Sequence, residues 1–220
     1  MVLISHRYKF IYIKNIKVAG TSVESFFEKY CINPNIEYVK TQRINTKISK
    51  YGLIGFRGIE SDKKKFKNTL GFTNHMDCKG LKNKIPPKIY NNYIKFCVIR
   101  NPYDKMVSKY FFSKSELSFK EFCKKAKCVN INRYTINGKN QCNILIRFEN
   151  LKEDIIKICK ILGIKDYDID NDLPNYKSQN RNEKKHYSYY YDEETKNIVY
   201  NKHKSEFIRY KYKFEDKTNN

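Results

Sequence analysis

The chain has 220 residues, enough for one domain with a substantial core, and the length gives little support for two domains. It carries 45 Lys and Arg against 23 Asp and Glu, and the resulting charge of +22 would attract polyanions such as nucleotides, acidic glycans, nucleic acid and acidic membranes. An AT-rich coding sequence would produce the same excess, since Asn, Ile and Tyr are abundant together with Lys. The seven cysteines include no C-x-x-C pair, so they indicate neither a disulfide framework nor a zinc site.

The N-terminal stretch MVLISHRYKFIYIKNIK is interrupted by Arg7, Lys9 and Lys14. It therefore lacks the apolar core of a signal peptide and the length of a membrane span, and no later segment is apolar enough to span a membrane. We expect a cytoplasmic protein, or one from a Golgi-like lumen if the sequence is trimmed.

The first strand-loop-helix pattern lies near the N-terminus. A β-branched and aromatic run at Lys9–Ile13 predicts a strand, and helical spacing of apolar residues follows at Val23, Phe26, Phe27 and Tyr30. Thr21 and Glu24 match a capping box, which predicts that the helix begins at the loop. Residues 33–66 are expected to form loops with one or two short strands.

A second strand is expected at Thr69–His75, followed by a short helix and a Pro-marked turn over 78–93. The buried run Lys95–Ile99 then precedes Asn101 as N-cap and Pro102 in the first helical turn. A strand at 143–148 leads into a helix that starts at Asn150 and stops at Gly163. The tail is basic and Tyr-rich from about Lys177, and a helix is expected after this segment, to about Tyr210.

Strands that alternate with helices predict an α/β fold, in which a central, mainly parallel sheet is covered by helices on both faces. We expect one domain over 1–216 and a disordered tail over 217–220. Ligands of such folds bind at the carboxyl ends of the strands.

The loop YIKNIKVAGTS, Tyr12 to Ser22, has several features that favour an anion-binding site. A turn at Gly20 exposes backbone N–H groups, Thr21 and Ser22 add hydroxyls, the helix dipole points to the same place, and Lys17 can reach it. The alternative is a plain helix start after a glycine turn. The ATP-binding pattern G-x-x-x-x-G-K-[ST] is absent. Arg100 and Ser108 offer a second anion site after the next buried strand, unless Arg100 simply forms a surface ion pair.

Both segments resemble sulfotransferases. IKVAGTS is similar to the 5′-phosphosulfate loop, and FCVIRNPYDKMVSKYF is similar to the 3′-phosphate motif of the Golgi-type heparan and chondroitin sulfotransferase group. RFENL at 147–151 and the Tyr-rich tail are similar to later parts of that family, so the likeness spans about 9–216 and is weakest over 31–69. The resemblance implies a three-layer fold like that of P-loop NTPases.

The resemblance also implies roles for individual residues. The co-substrate would be 3′-phosphoadenosine 5′-phosphosulfate (PAPS), with Lys17 stabilising the leaving oxygen and His75, in TNHMD, as general base toward the acceptor hydroxyl. An ordinary His pKa of about 6.5 suits that role. The other residues implied in cofactor binding are Ala19, Gly20, Thr21 and Ser22 for the 5′-phosphate and Arg100 and Ser108 for the 3′-phosphate. No metal is required by this chemistry.

The chain departs from the family pattern at Ile16 and Val18, which stand for Pro and Thr, and at LPNYK over 173–177. Arg181, Lys184 and Lys185 could close over the cofactor or form a solvated basic turn. The expected acceptor is a glycan or small hydroxyl compound, with no specific nucleic acid and no membrane span, and the oligomeric state is open. The alternatives are a nucleotide kinase and a non-enzymatic basic module for nucleic acid.

Overall fold

A computed structural model of the chain describes residues 2–36, 46–56, 71–174 and 185–218. The chain divides into two compact units. The first unit comprises Met1–Ile99 and Asn132–Asn175, and the second comprises Arg100–Ile131 and Tyr176–Asn220.

A six-stranded sheet forms the centre of the first unit. Its strands are β1 Val2–Ser5, β2 Phe10–Ile13, β3 Lys47–Ser49, β4 Gly52–Ile54, β5 Ile94–Ile99 and β8 Ile144–Arg147, and a separate hairpin pairs β6 Thr135–Ile136 with β7 Lys139–Asn140. The order across the sheet is β3-β4-β1-β2-β5-β8. β2, β5 and β8 are parallel, whereas β1 pairs antiparallel with both β2 and β4, and β4 pairs antiparallel with β3.

The prediction of a mainly parallel sheet is therefore wrong, because the sheet is mixed. The missed strand β1 is fully buried. Arg7 and Lys9, which interrupt the apolar run in the sequence, lie in the turn that joins β1 to β2. The two charged residues that hid the strand are exposed to water in this turn.

The helices along the chain are α1 Gly20–Glu28, α2 Cys78–Lys82, α3 Pro87–Asn92, α4 Pro102–Ser113, α5 Phe119–Lys125, α6 Ile131–Tyr134, α7 Leu151–Leu162, α8 Ile169–Asp172 and α9 Glu193–Tyr210. Three strand-loop-helix predictions are confirmed as β2-α1, β5-α4 and β8-α7. α7 ends at Gly163, whose φ of 70° is the left-handed conformation that glycine adopts without strain. Asn101 caps α4 by accepting a hydrogen bond from the Tyr103 N–H.

The expected strand at Thr69–His75 is wrong over the part that the structure describes, and residues 69–70 lie outside it. Residues 71–75 form an irregular segment and a turn. Gly71 and His75 have φ of 65° and 57°, which an extended strand does not accommodate. Residues 47–54 supply the short strands expected between 33 and 66.

The core of the first unit packs α1 and α7 against one face of the sheet. Phe27 of α1 lies 5.5 Å from the Phe10 ring and 4.9 Å from the Phe96 ring, measured between centroids. Ile155 and Ile158 of α7 are fully buried in the same cluster. This packing fixes where α1 begins relative to the ends of β2 and β5.

The second unit contains α4, α5 and α9. Lys105 on α4 and Glu206 on α9 form a buried ion pair of 2.8 Å, and His203 Nδ1 lies 2.7 Å from the same carboxylate. His203 has non-helical φ and ψ of −115° and 16°, so α9 is kinked there.

Neighbouring backbone atoms approach Gly52 closely, and this predicts that a side chain there would lower the stability of the fold. A methyl group on Gly52 would lie 2.1 Å from the Ile4 carbonyl oxygen and 2.9 Å from that of Cys31, both on backbone. We expect Gly52→Ala to lower the free energy of unfolding by about 3 kcal/mol, measured by urea denaturation. Gly163→Ala, where a methyl group meets nothing within 4 Å, is the control and should cost about 1 kcal/mol.

Candidate functional site

The loop between β2 and α1 lies at the carboxyl end of the parallel part of the sheet. β2 pairs with β5 and β5 with β8, all in one direction, so Ile13 and Ile99 end their strands at the same edge. The Asn15 side-chain amide donates to the Val98 carbonyl at 2.8 Å and ties the loop to β5. The loop therefore lies at the carboxyl ends of parallel strands, as the sequence predicted, and ligand binding at this edge stays a prediction.

The backbone of this loop adopts uncommon conformations. Lys17 and Ala19 have φ of 58° and 56°, in the left-handed region that residues with a Cβ rarely occupy. Between them Val18 is fully buried and anchors the loop in the core. Strain of this kind, about 1 kcal/mol or more for each residue, persists only where the surroundings hold it.

α1 begins at Gly20, and Ala19 occupies the N-cap position without a side-chain hydrogen bond. The Thr21–Glu24 capping box predicted from the sequence is therefore wrong. Glu24 is buried and its carboxylate contacts Lys14 Nζ at 2.7 Å. At this helix start the N–H groups of Ser22 and Val23 donate to the Ala19 carbonyl at 2.9 and 3.2 Å, and the positive end of the helix dipole points toward the loop, where it would attract an anion.

The two lysines of the loop have different environments. Lys14 is 5% exposed and is neutralised by Glu24. Lys17 is partly exposed, in the bend that precedes α1. Of these two cations, Lys17 is therefore the one placed to meet an anion from solvent.

The remaining loop residues pack closely. Gly20 and Ser22 are buried and Thr21 is half-buried. A methyl group on Gly20 would lie 3.0 Å from Lys14 Cγ and 3.1 Å from the Asn15 carbonyl oxygen, so a larger residue would require these neighbours to shift by a few tenths of an ångström. The Tyr12 hydroxyl donates to the Gly20 carbonyl at 3.2 Å, and burial raises the pKa of Tyr12, which keeps that proton in place.

His75 lies beside the same loop. Its Nδ1 is 3.1 Å from the Lys14 carbonyl oxygen, although 61 residues separate the two in sequence. A carbonyl only accepts hydrogen bonds, so Nδ1 carries the proton and Nε2 keeps its lone pair. The guanidinium of Arg133 donates to the His75 carbonyl, which holds this residue in its left-handed conformation.

His75 is neutral over the ordinary pH range. Burial, with smaller contributions from the charges of Lys14 and Arg133, lowers the pKa of His75 to about 3. An anion bound nearby would oppose the effect of those cations and raise the pKa. The loop and His75 together thus present a cation, helix N–H groups and an imidazole lone pair.

Arg100 and Ser108, the second predicted anion site, belong to the second unit. Arg100 directly follows β5 in the chain, and both its Nε and a terminal nitrogen lie 2.7 Å from Asp104 Oδ2. The alternative of an ion-paired Arg100 is thus present in the structure, and an incoming phosphate would have to share the guanidinium with Asp104. Ser108 lies half-buried on α4.

Of the three tail residues considered for cofactor closure, Lys185 is exposed, whereas Arg181 and Lys184 lie outside the described residues. Within the described ranges, no group of three or more His, Cys, Asp or Glu side chains is arranged to hold a metal ion. In the same ranges, no helix is long and apolar enough to cross a membrane.

Lys14 and Arg133 had no predicted role in the site, and Glu24 was predicted only as part of the capping box. A signal for Glu24 was available, because it follows Val23 and precedes Phe27 on the apolar side of α1, where a carboxylate needs a cation. Arg133 gives no local signal, since its contact with His75 spans 58 residues.

The chain is an α/β protein with a mixed sheet, and the loop at the end of β2 contains two residues with left-handed backbone conformation. No protein-family model matches the chain, and no solved structure matches it. An uncharacterized protein of Archaeoglobus fulgidus is 35% identical over 95 residues, which cover 38% of this chain and 79% of the archaeal one. The chain belongs to the same family as that protein, whose name states no activity.

The low pKa of His75 predicts a pH dependence of stability. The unfolded chain has a His pKa of about 6.5 and binds a proton that the folded protein does not, so the free energy of unfolding should fall as pH drops from 6.5 toward 3. His75→Asn, which tolerates the left-handed backbone, should flatten this slope in urea titrations. Equal slopes for the two proteins would show that His75 titrates normally.

Proposed function

We propose that the protein is a sulfotransferase that moves the sulfuryl group of PAPS to an acceptor hydroxyl, on a carbohydrate or another hydroxyl compound. The observation that carries the proposal is the 3.1 Å contact between His75 Nδ1 and the Lys14 carbonyl, because it brings an imidazole to the loop that bears Lys17. The sequence likeness of IKVAGTS to the phosphosulfate loop supplies the chemistry. A relation to the P-loop NTPase fold is part of the same proposal.

The loop would hold the 5′-phosphosulfate. The N–H groups at the start of α1 and the hydroxyls of Thr21 and Ser22 suit a tetrahedral oxyanion, and the helix dipole adds to their attraction. Lys17 would neutralise the charge that grows on the bridging oxygen as the bond to sulfur breaks. Arg100 and Ser108 are assigned to the 3′-phosphate by resemblance alone.

The reaction would be an in-line displacement. The acceptor oxygen forms a bond to sulfur, the bond from sulfur to the 5′-phosphate oxygen breaks, and the acceptor proton passes to His75 Nε2. The products are the sulfated acceptor and 3′-phosphoadenosine 5′-phosphate. A pKa of about 3 makes His75 a weak base in the free protein, so the negative charge of bound PAPS would be needed to strengthen it.

Nucleotide binding in low salt tests the proposal. We expect isothermal calorimetry to detect 3′-phosphoadenosine 5′-phosphate, and labelled PAPS to transfer sulfate to sugars or small hydroxyl compounds in an acceptor screen. Removal of the 3′-phosphate from the ligand should weaken binding. Binding and turnover of ATP with magnesium, without response to the 3′-phosphate, would favour the kinase alternative and contradict the proposal.

The role of Lys17 gives a sharper prediction. Lys17→Met should lower kcat by about a hundredfold, because the charge on the departing oxygen would lose its cation. Lys9→Met is a matched control, since Lys9 also has a left-handed φ, of 50°, but lies in the turn before β2, at the opposite end of that strand. Sulfate transfer kinetics should leave the control within about twofold of the unaltered protein. Equal losses in the two variants would remove Lys17 from the mechanism.

A further inference from the structure

We propose that Lys14 is a positioning residue. Its buried ion pair with Glu24 holds the loop between β2 and α1, and the His75 ring beside it, in one geometry. Lys14 lies at the end of β2, 5% exposed, and contacts three separate parts of the site. This inference rests on the proposed function for its catalytic consequence, although the geometry that it describes does not depend on sulfate transfer.

The first contact is with α1. Lys14 Nζ lies 2.7 Å from Glu24 Oε2, and the side chains are 7% and 0% exposed. Loss of either partner would leave a charge buried without its counterion, which proteins tolerate poorly. The pair therefore fixes the distance between the end of β2 and the second turn of α1.

The second contact is with the glycine of the loop. The Lys14 stem runs beneath Gly20, where a methyl group would meet Cγ at 3.0 Å and Cε at 3.4 Å. The aliphatic part of the side chain thus supports the start of α1 from below. Lys17 and Ala19, whose backbones are left-handed, lie between the end of β2 and the start of α1, which the Lys14 side chain connects.

The third contact is through the main chain. The Lys14 carbonyl accepts from His75 Nδ1 at 3.1 Å and thereby sets which ring nitrogen is protonated. A shift of the loop would move this carbonyl and release the ring. Arg133 donates to the His75 main-chain carbonyl, whereas the Lys14 carbonyl contacts the ring itself and so orients the imidazole.

A double variant separates positioning from stability. Lys14→Met alone should unfold at a lower urea concentration, because Glu24 remains charged and buried. Lys14→Met/Glu24→Met replaces the pair by apolar side chains of similar length and should unfold close to the unaltered protein. We nevertheless expect the kcat of the double variant to be at least about tenfold lower than that of the unaltered protein. Its KM for PAPS should be higher, because the loop and His75 lose their fixed geometry.

The imidazole provides a readout that needs no sulfate transfer. Nitrogen NMR of the unaltered protein should show His75 protonated at Nδ1, and the double variant should show a mixture of tautomers. A double variant that is stable, keeps its kcat and KM and retains the Nδ1 proton would overturn the inference. If the unaltered protein fails to bind 3′-phosphoadenosine 5′-phosphate, the proposed function fails, while the tautomer comparison still decides the role of Lys14.

A second ion pair in the same unit serves as the control. Lys29 Nζ lies 2.7 Å from Asp172 Oδ2, the side chains are 26% and 30% exposed, and Lys29 directly follows α1. Lys29→Met removes a lysine at the C-terminal end of α1, which is the end farther from the loop. It should change neither the His75 tautomer nor kcat by more than about twofold, and a loss equal to that of the double variant would count against a specific role for Lys14.

Discussion

The ion pair between Lys14 and Glu24 is the interaction on which the arrangement at the sheet edge depends. Both groups are removed from water, so each requires the other. Because Lys14 directly follows β2 and Glu24 lies on α1, their pairing constrains the path of the loop between them. The strained backbone at Lys17 and Ala19 and the His75 ring on the Lys14 carbonyl both rely on that path.

Local sequence patterns predicted the elements that surround this loop. Apolar runs followed by helical spacing located β2 with α1, β5 with α4 and β8 with α7, and Gly163 located a helix end. These strands and helices could be predicted because each pattern involves residues that are close together in the sequence. β1 was missed because Arg7 and Lys9 lie in the turn after it, and the sheet is mixed because β1 pairs antiparallel with β2 and β4, and β3 with β4.

The site was predictable in part. The Gly-Thr-Ser turn and the position of Lys17 follow from sequence, whereas the approach of His75 depends on a turn with positive φ and on contacts with Lys14 and Arg133 far along the chain. Glu24 shows the limit most clearly. Three residues after a threonine it has the spacing of a capping box, yet the apolar packing of α1 directs it inward to a lysine.

Seven described non-glycine residues have positive φ, and three of them, Lys17, Ala19 and His75, belong to the candidate site. Glycine would relieve each of these positions of conformational strain. A redesign guided by folding stability alone would therefore replace the residues proposed to bind the anion and accept the proton. At these three positions, selection for activity would retain residues that folding stability alone would replace.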